Sequence, residues 1–417
     1  MMLKPLVLSL TVAVALPAAS ANWPSWRGPM NQGISSEQGL PTNWSSTDRL
    51  WRVELPGAAG ATPVVWEDHI FLTTVDGEQL VLMCFTTDGK LKWRHAQGQG
   101  NKDVRGDEGN SAAPSPVTDG KHVWAFFTDG SLGCYDFDGN QVWVMDVQQQ
   151  YGKFDIAFGM TSTPVLHEDQ LYLQLIHSGG AKVVALKKDT GQEAWAVPRP
   201  SDAHSECEHA YASPIVYDDG TTRFLLTHGA DYSVAFDLQD GHEIWRVGGL
   251  HPADRYDPTL RFVSSPVAVE GMIVIPSAKQ GFTVAVKPNS KGNITGQQEY
   301  YHWIFDVTPD VPSPLILDDY VYLCRENGNL ICLDRKTGKQ IYEERTNRFR
   351  HRASPVYADG KIYLSGRDGK VTVVQPGPEF KILAQNDIGE SLAASPAISG
   401  GRIYLRTFDA LWAIGEK

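Results

Sequence analysis

Between residues 163 and 197 the sequence TPVLHEDQLYLQLIHSGGAKVVALKKDTGQEAWAV breaks into four short apolar runs separated by polar turns. Residues 171–175 alternate as Leu-Tyr-Leu-Gln-Leu, the period-two signature of a strand, and residues 181–186 form a second apolar run. His177-Ser178-Gly179-Gly180 and Asp189-Thr190-Gly191 supply turn chemistry, because Gly reaches positive φ without a Cβ clash. No window in this stretch spaces its apolar residues at the 3.6 period of a helix.

The same unit recurs along the chain. A Ser or Thr followed by Pro and then a mostly apolar residue stands at Pro63, Pro116, Pro164, Pro214, Pro266, Pro314, Pro355 and Pro396, at intervals of 53, 48, 50, 52, 48, 41 and 41 residues. Thr308-Pro309 falls out of phase. Four strands per repeat of about 40–50 residues predict propeller blades. Eight starts predict an all-β, eight-bladed propeller of four-stranded antiparallel blades.

The predicted fourth strands share a Trp, at Trp51, Trp93, Trp143, Trp195, Trp245 and Trp303, replaced by Tyr342 and Leu383 in blades 6 and 7. All but Trp51 follow a Gly-containing turn, and a packing role between neighbouring blades is expected, since a large aromatic buries about 150–250 Å². Leu50-Trp51-Arg52-Val53 resembles the end of blade 4, Ile244-Trp245-Arg246-Val247, but lacks three preceding strands. Blade 8 has three runs and stops. Residues 49–55 are therefore expected to complete blade 8 and close the ring, which removes open edges. Residues 287–301 form a polar insertion in blade 5, expected to protrude.

The remaining segments divide simply. Residues 1–21 read as a secretory signal, with Lys4, an apolar run at 6–16 and Ala19-Ser20-Ala21 before a cleavage site at Asn22. Residues 22–47 read as an arm on the propeller surface, packed through Trp23, Trp26 and Trp44, and residues 48–417 as a single propeller. The apolar run is too short to span a bilayer, no later segment is long enough, and no Cys follows the run to carry a lipid. An exported, periplasmic or extracellular protein is expected, and a monomer. The net charge of −12 argues against general nucleic-acid binding.

The cysteines, Cys84, Cys134, Cys207, Cys324 and Cys332, are odd in number, so at least one has no partner in the chain. Cys84 and Cys134 occupy the position that is Ala185, Ala235 and Ala285 elsewhere and read as small buried residues. Cys324 and Cys332 flank a turn. A two-residue Asn-Gly turn pairs Cys324 with Ile331 and points Cys332 away; a three-residue loop sets the two opposite each other.

The pattern Ala/Cys-x-Asp-x-x-Thr-Gly-x-x-x-Trp, seen from Ala185 to Trp195, resembles the pyrroloquinoline-quinone-like repeat of eight-bladed propellers, shared by BamB-like assembly factors and quinoprotein alcohol dehydrogenases. Trp23-Pro24-Ser25-Trp26-Arg27-Gly28-Pro29, with Leu40-Pro41 and Trp44, is similar to the start of exported BamB-like propellers. The resemblance covers nearly all of the chain after residue 21. It implies the fold and leaves activity open, because propellers host unrelated functions.

Candidate chemistry gathers on the long connections between blades, expected on one face. These carry Arg105 and Asp107, then Asp155, then His204, Glu206 and His209, then Arg255, Asp257 and Arg261, and finally Arg348, Arg350, His351 and Arg352. Residues 204–209 contain every zinc ligand type, yet their spacing matches no standard motif, so no metal site is assigned and a hydrogen-bonded loop is expected. Four Arg and a His within 345–352 either clamp a carboxylate or phosphate, or are neutralised by Asp107, Asp155 or Asp257. No nucleophile or phosphate-loop motif is present, and eight equivalent Ser/Thr-Pro starts argue for structure rather than catalysis.

Two functions follow from different classes. The first is a non-catalytic scaffold that presents the long-loop face to a protein or cell-envelope partner, with no cofactor. The alternative implied by the resemblance is a dehydrogenase with pyrroloquinoline quinone and calcium over the channel. Such enzymes typically carry an adjacent cysteine pair and extra length, and this sequence has neither.

Overall fold

Why a blade can be so uniformly apolar is clearest in blade 3. Alternation sends Leu171, Leu173, Leu175, Val184 and Leu186 into one cluster with Trp124 and Phe126 of blade 2. Tyr172, Val183, Ala185 and Trp195 enter another with Leu225, Val234 and Phe236 of blade 4. Each sheet is thus buried on both faces by its neighbours, and period-two patterning feeds two cores rather than one core and solvent.

The computed structural model describes residues 22–104, 109–251 and 256–416. Among these, the strands form eight sheets in a ring, each an antiparallel up-and-down set of four in chain order, apart from an added fifth strand on blade 4 and from blade 8. There the strand Arg49–Glu54 pairs with Ala410–Ile414, with Arg52 opposite Trp412 and Glu54 opposite Ala410. The ring is closed by its N-terminal strand, as the sequence predicts.

A hydroxyl relay lines the centre. The N–H of Thr62 donates to Ser115 Oγ at 2.9 Å, that of Ser115 to Thr163 Oγ1 at 3.1 Å, and that of Thr163 to Ser213 Oγ at 3.0 Å. The N–H groups of Ser213, Ser265, Ser313 and Ser354 donate in turn to Ser265, Ser313, Ser354 and Ser395, at 2.8–2.9 Å. Pro at the next position has no N–H, so the Ser/Thr amide is the donor available there. The last seam, from blade 8 to blade 1, is bridged by the buried Arg406, which donates to Thr73 O at 2.9 Å and to Thr74 Oγ1 at 3.1 Å.

At the outer side five of the eight seams are locked through a Trp. The indole N–H of Trp51 donates to Thr87 O, Trp93 to Phe137 O, Trp143 to Lys188 O, Trp195 to Leu238 O and Trp303 to Arg335 O, at 2.7–3.1 Å. The acceptor turns carry Gly directly under the ring. A Cβ on Gly139 would lie 2.9 Å from Trp93 and one on Gly338 2.5 Å from Trp303, at φ +89° and +68°. Only Gly satisfies both the close approach and the positive φ.

Two expectations need correction. The blade 5 insertion does not protrude: Gly292–Asn293 adds a parallel fifth strand to blade 4, opposite Trp245 and Arg246, and Ile294 is fully buried. The apolar Ile294 supplies the burial that holds this polar segment down. Cys324 stands opposite Leu330 and Cys332 opposite Tyr322, neither of the registers considered, and all five cysteines are free and buried.

The segment after residue 21 crosses the channel. Trp23 exchanges both backbone bonds with Val65 of blade 1 at 2.8 Å, and Thr118 of blade 2 donates to Pro24 O at 3.0 Å. Arg27, wholly buried, donates to Pro314 O of blade 6 at 2.7 Å; Gln32 reaches Ala268 O of blade 5 at 2.7 Å; Ser35 N–H reaches Tyr357 O of blade 7 at 2.9 Å. Trp26 forms the floor of the channel cavity.

Deleting residues 22–56 removes the closing strand and the floor together, and the melting temperature should fall by roughly 10 °C or more; an unchanged melt would contradict ring closure by this strand. Ser313→Ala leaves the buried Ser265 N–H unpaired and should cost about 1–3 kcal/mol, whereas Ser36→Ala, at an exposed position of the arm, should stay within about 0.5 kcal/mol in the same thermal or urea melts.

Candidate functional site

Up-and-down strands place the long inter-blade connections and the turns between second and third strands on one face. Beneath this face lies a channel cavity of about 230 Å³, floored by Trp26, ringed by the eight relay residues and overlooked by Phe158, Tyr211, Arg261 and Arg352. Beside it a second cavity of about 460 Å³ holds Glu206, Arg261, Lys279, Asp310, Glu326, Arg350 and Arg352.

The arginines at the channel mouth are held by carboxylates. Arg261 pairs with Glu206 and lies 4.2 Å from the Phe158 ring centroid. Arg350 and Arg352 both reach Glu326 Oε1, at 2.6 and 3.1 Å, and Lys279 bridges Glu326 at 3.2 Å and Asp310 at 3.0 Å. Among the described residues, Glu326 neutralises Arg350 and Arg352, and Glu206 pairs with Arg261. Neither Asp155 nor Asp257 takes the role considered for it, and Asp107 lies outside the described residues, as does Arg105. Asp257 instead caps its own turn, accepting from Thr259 N–H at 3.0 Å. Asp155 is exposed near His177 and His209.

Burial pushes the Asp310 carboxyl up to about 6, helped by its hydrogen bond with Glu326 and opposed by Lys279. Burial acts the same way on Glu326, but the hydrogen bonds from Asp310 and Arg350 and the charges of Arg352 and Lys279 prevail and hold it at about 2. The pair thus titrates in two steps, and below about pH 6 the proton rests on Asp310. Asp310 also sits at φ +78°, a conformation Asn adopts with ease.

The sequence brought together the right connections but missed Asp310 and Glu326. Glu326 stands in a turn between second and third strands, which topology alone puts on this face. The out-of-phase Thr308-Pro309 was the available signal for Asp310: the buried Thr308 hydroxyl donates to Ser277 O at 3.1 Å and sets the course of the chain there.

The cluster at 204–209 disperses around the 3₁₀ turn Ser205–Glu208. His204 stacks on Tyr256 with centroids 4.7 Å apart, and His209 Nε2 meets Ser178 Oγ at 2.9 Å. Cys207 turns inward to His251 Nε2 at 3.7 Å, and His251 Nδ1 contacts Asp231 Oδ1 at 2.5 Å. Burial disfavours a charged His251, but the Asp231 and Cys207 hydrogen bonds outweigh it and raise its pKa to about 9. His351 is fully buried and donates its N–H to Glu326 O at 2.8 Å, so it is a structural member of the rim. Arg348 is exposed, and Arg255 lies outside the described residues.

Fold and face define a propeller of the pyrroloquinoline-quinone-like repeat class. A family model described as outer membrane protein assembly factor BamB matches residues 36–173, 128–301 and 300–407, and the chain belongs to that family. The factor of that name from Yersinia pestis is 23% identical over 314 residues, covering 71% of each chain. That of Moranella endobia is 25% identical over 272 residues, 62% of this chain and 63% of its own. Among solved structures, BamB from Moraxella catarrhalis aligns with a TM-score of 0.66 at 15% identity, over 88% of this chain and 97% of its own. The quinohemoprotein alcohol dehydrogenase from Comamonas testosteroni aligns at 0.68 and 12% identity, over 95% and 81%. At these identities the structural likeness is one of fold. No helix of the described residues is long and apolar enough to cross a membrane.

Asp310 is protonated more readily folded than unfolded, so it contributes a penalty that grows as pH rises from about 4 through about 6. Asp310→Asn keeps a donor for Glu326 without that penalty. It should stabilise the chain by on the order of 1 kcal/mol at pH 8 and leave it nearly unchanged at pH 4, read as melting temperature against pH.

Proposed function

We propose that this chain is a non-catalytic binding scaffold that presents its long-connection face to a protein or cell-envelope partner. The observation that carries this reading is Phe349, 54% exposed on that face between Arg348 and Arg350, which are both solvent-exposed. Arg and aromatic residues are the types that anchor protein interfaces, and a rigid ring holds these on a short loop. The relatives named outer membrane protein assembly factors support an envelope protein as the partner class, and the expected signal at 1–21 supports an exported location.

The channel is poorly matched to pyrroloquinoline quinone and calcium. Its two guanidiniums already face Glu206 and Glu326, no described carboxylate lines it, and calcium takes about 6–8 oxygen ligands. No two of the five cysteines are adjacent in sequence.

A photo-crosslinking residue at position 349, exposed to envelope extract, should give a discrete adduct that is lost on Arg348→Glu/Arg350→Glu. The same probe at Asp138, on the opposite face, should give none. Equal adducts from both faces would overturn the reading, as would saturable tryptophan quenching with dye reduction on adding the quinone and calcium.

A further inference from the structure

One side-chain cluster on the long-connection face plays no part in that reading. Cys207 comes from the 3₁₀ turn before blade 4, Asp231 from the turn between that blade's second and third strands, and His251 from the connection to blade 5. All three are buried, and one ligand atom from each lies within 4.8 Å of the other two. Asp231 also accepts from the Tyr256 hydroxyl at 2.9 Å, while the Cys207 sulfur faces Leu260 O at 3.1 Å and Asp257 O at 3.5 Å. Sequence spacing hides the group, because its members are brought together by three separate segments.

We propose that Cys207 and His251 form a binding site for a thiophilic divalent ion, zinc(II) in the first instance, with Asp231 orienting the imidazole. The spacing is already that of ligands. Zn–S of about 2.3 Å and Zn–N of about 2.0–2.1 Å at a tetrahedral angle set sulfur and nitrogen about 3.5 Å apart, against 3.7 Å between Cys207 Sγ and His251 Nε2. A carboxylate on Nδ1 is the usual outer partner of a metal-bound His; it fixes the ring and leaves Nε2 for the ion. Thiolate with imidazole selects zinc-like ions over calcium or magnesium.

A nucleophilic role for the same trio is disfavoured by access. Neither Cys207 nor His251 lines the channel cavity or the one beside it, and Cys207 is fully buried, so a substrate has no approach where an ion needs only a water-sized path. Binding an ion displaces the thiol proton and the proton on Nε2 into solvent. Because Glu206 precedes Cys207 and Arg261 follows Leu260, the ion would pin both ends of the Glu206–Arg261 pair at the channel mouth.

The test uses residues 22–417, reduced and stripped with chelator, titrated with cobalt(II) as an optical stand-in for zinc. A thiolate-to-cobalt charge-transfer band should saturate at about one equivalent and be bleached by zinc. It should persist in Cys84→Ser and Cys332→Ser and vanish in Cys207→Ser. In Asp231→Asn, affinity should drop about 10–100-fold. Since Cys207 is a core position, His251→Gln is measured beside it, with circular dichroism establishing that each variant is folded. Absence of the band in the unmutated chain, or its survival in folded His251→Gln, overturns the proposal.

Discussion

The backbone N–H at the start of each inner strand has no strand partner of its own, and a buried amide without an acceptor costs about 1–3 kcal/mol. The molecule meets this constraint by lending each blade's hydroxyl to the amide of the blade before it, around seven of the eight seams. Blades 2 to 8 therefore each need a Ser or Thr at that place, and the following Pro keeps the turn into the strand stiff. The spacing of blades around the channel, and hence the footprint of the loops above it, follows from these short bonds.

The outer ring of Trp-to-carbonyl bonds works at a larger radius with the same logic. Where a Gly turn sits under the ring, the indole finds its acceptor. Trp245 has no such acceptor, and its Nε1 is buried without a partner. It is also the Trp beside which the blade 5 insertion lays an extra strand. The regular bond, absent also where Tyr342 and Leu383 replace the Trp, is given up here beside the inserted strand, which covers the gap.

Fold and closure were legible because they rest on repetition: eight Ser/Thr-Pro starts and six Trp report the same local physics again and again. The binding face was legible only in outline. Arg352 and Arg261 stand out in an acidic chain, but their partners Glu326 and Glu206 are chosen by the course of the loops, which no periodicity records. The arm was least legible. Arg27 is held by main-chain carbonyls of Pro314 and, more loosely, Pro355, and carbonyls carry no sequence signature. Likewise Cys207 looked like one member of a contiguous cluster, whereas its contacts come from residues 24 and 44 positions away.

Blade 8 is assembled from the two ends of the chain, and this has an order-of-events consequence. Arg49–Glu54 is made well before Ala410–Ile414, so this strand must wait for its mate. Until then it is a bare edge with unsatisfied amides, exposed to any other strand it meets. A folding helper, or slow handover to one, would matter most for this single element.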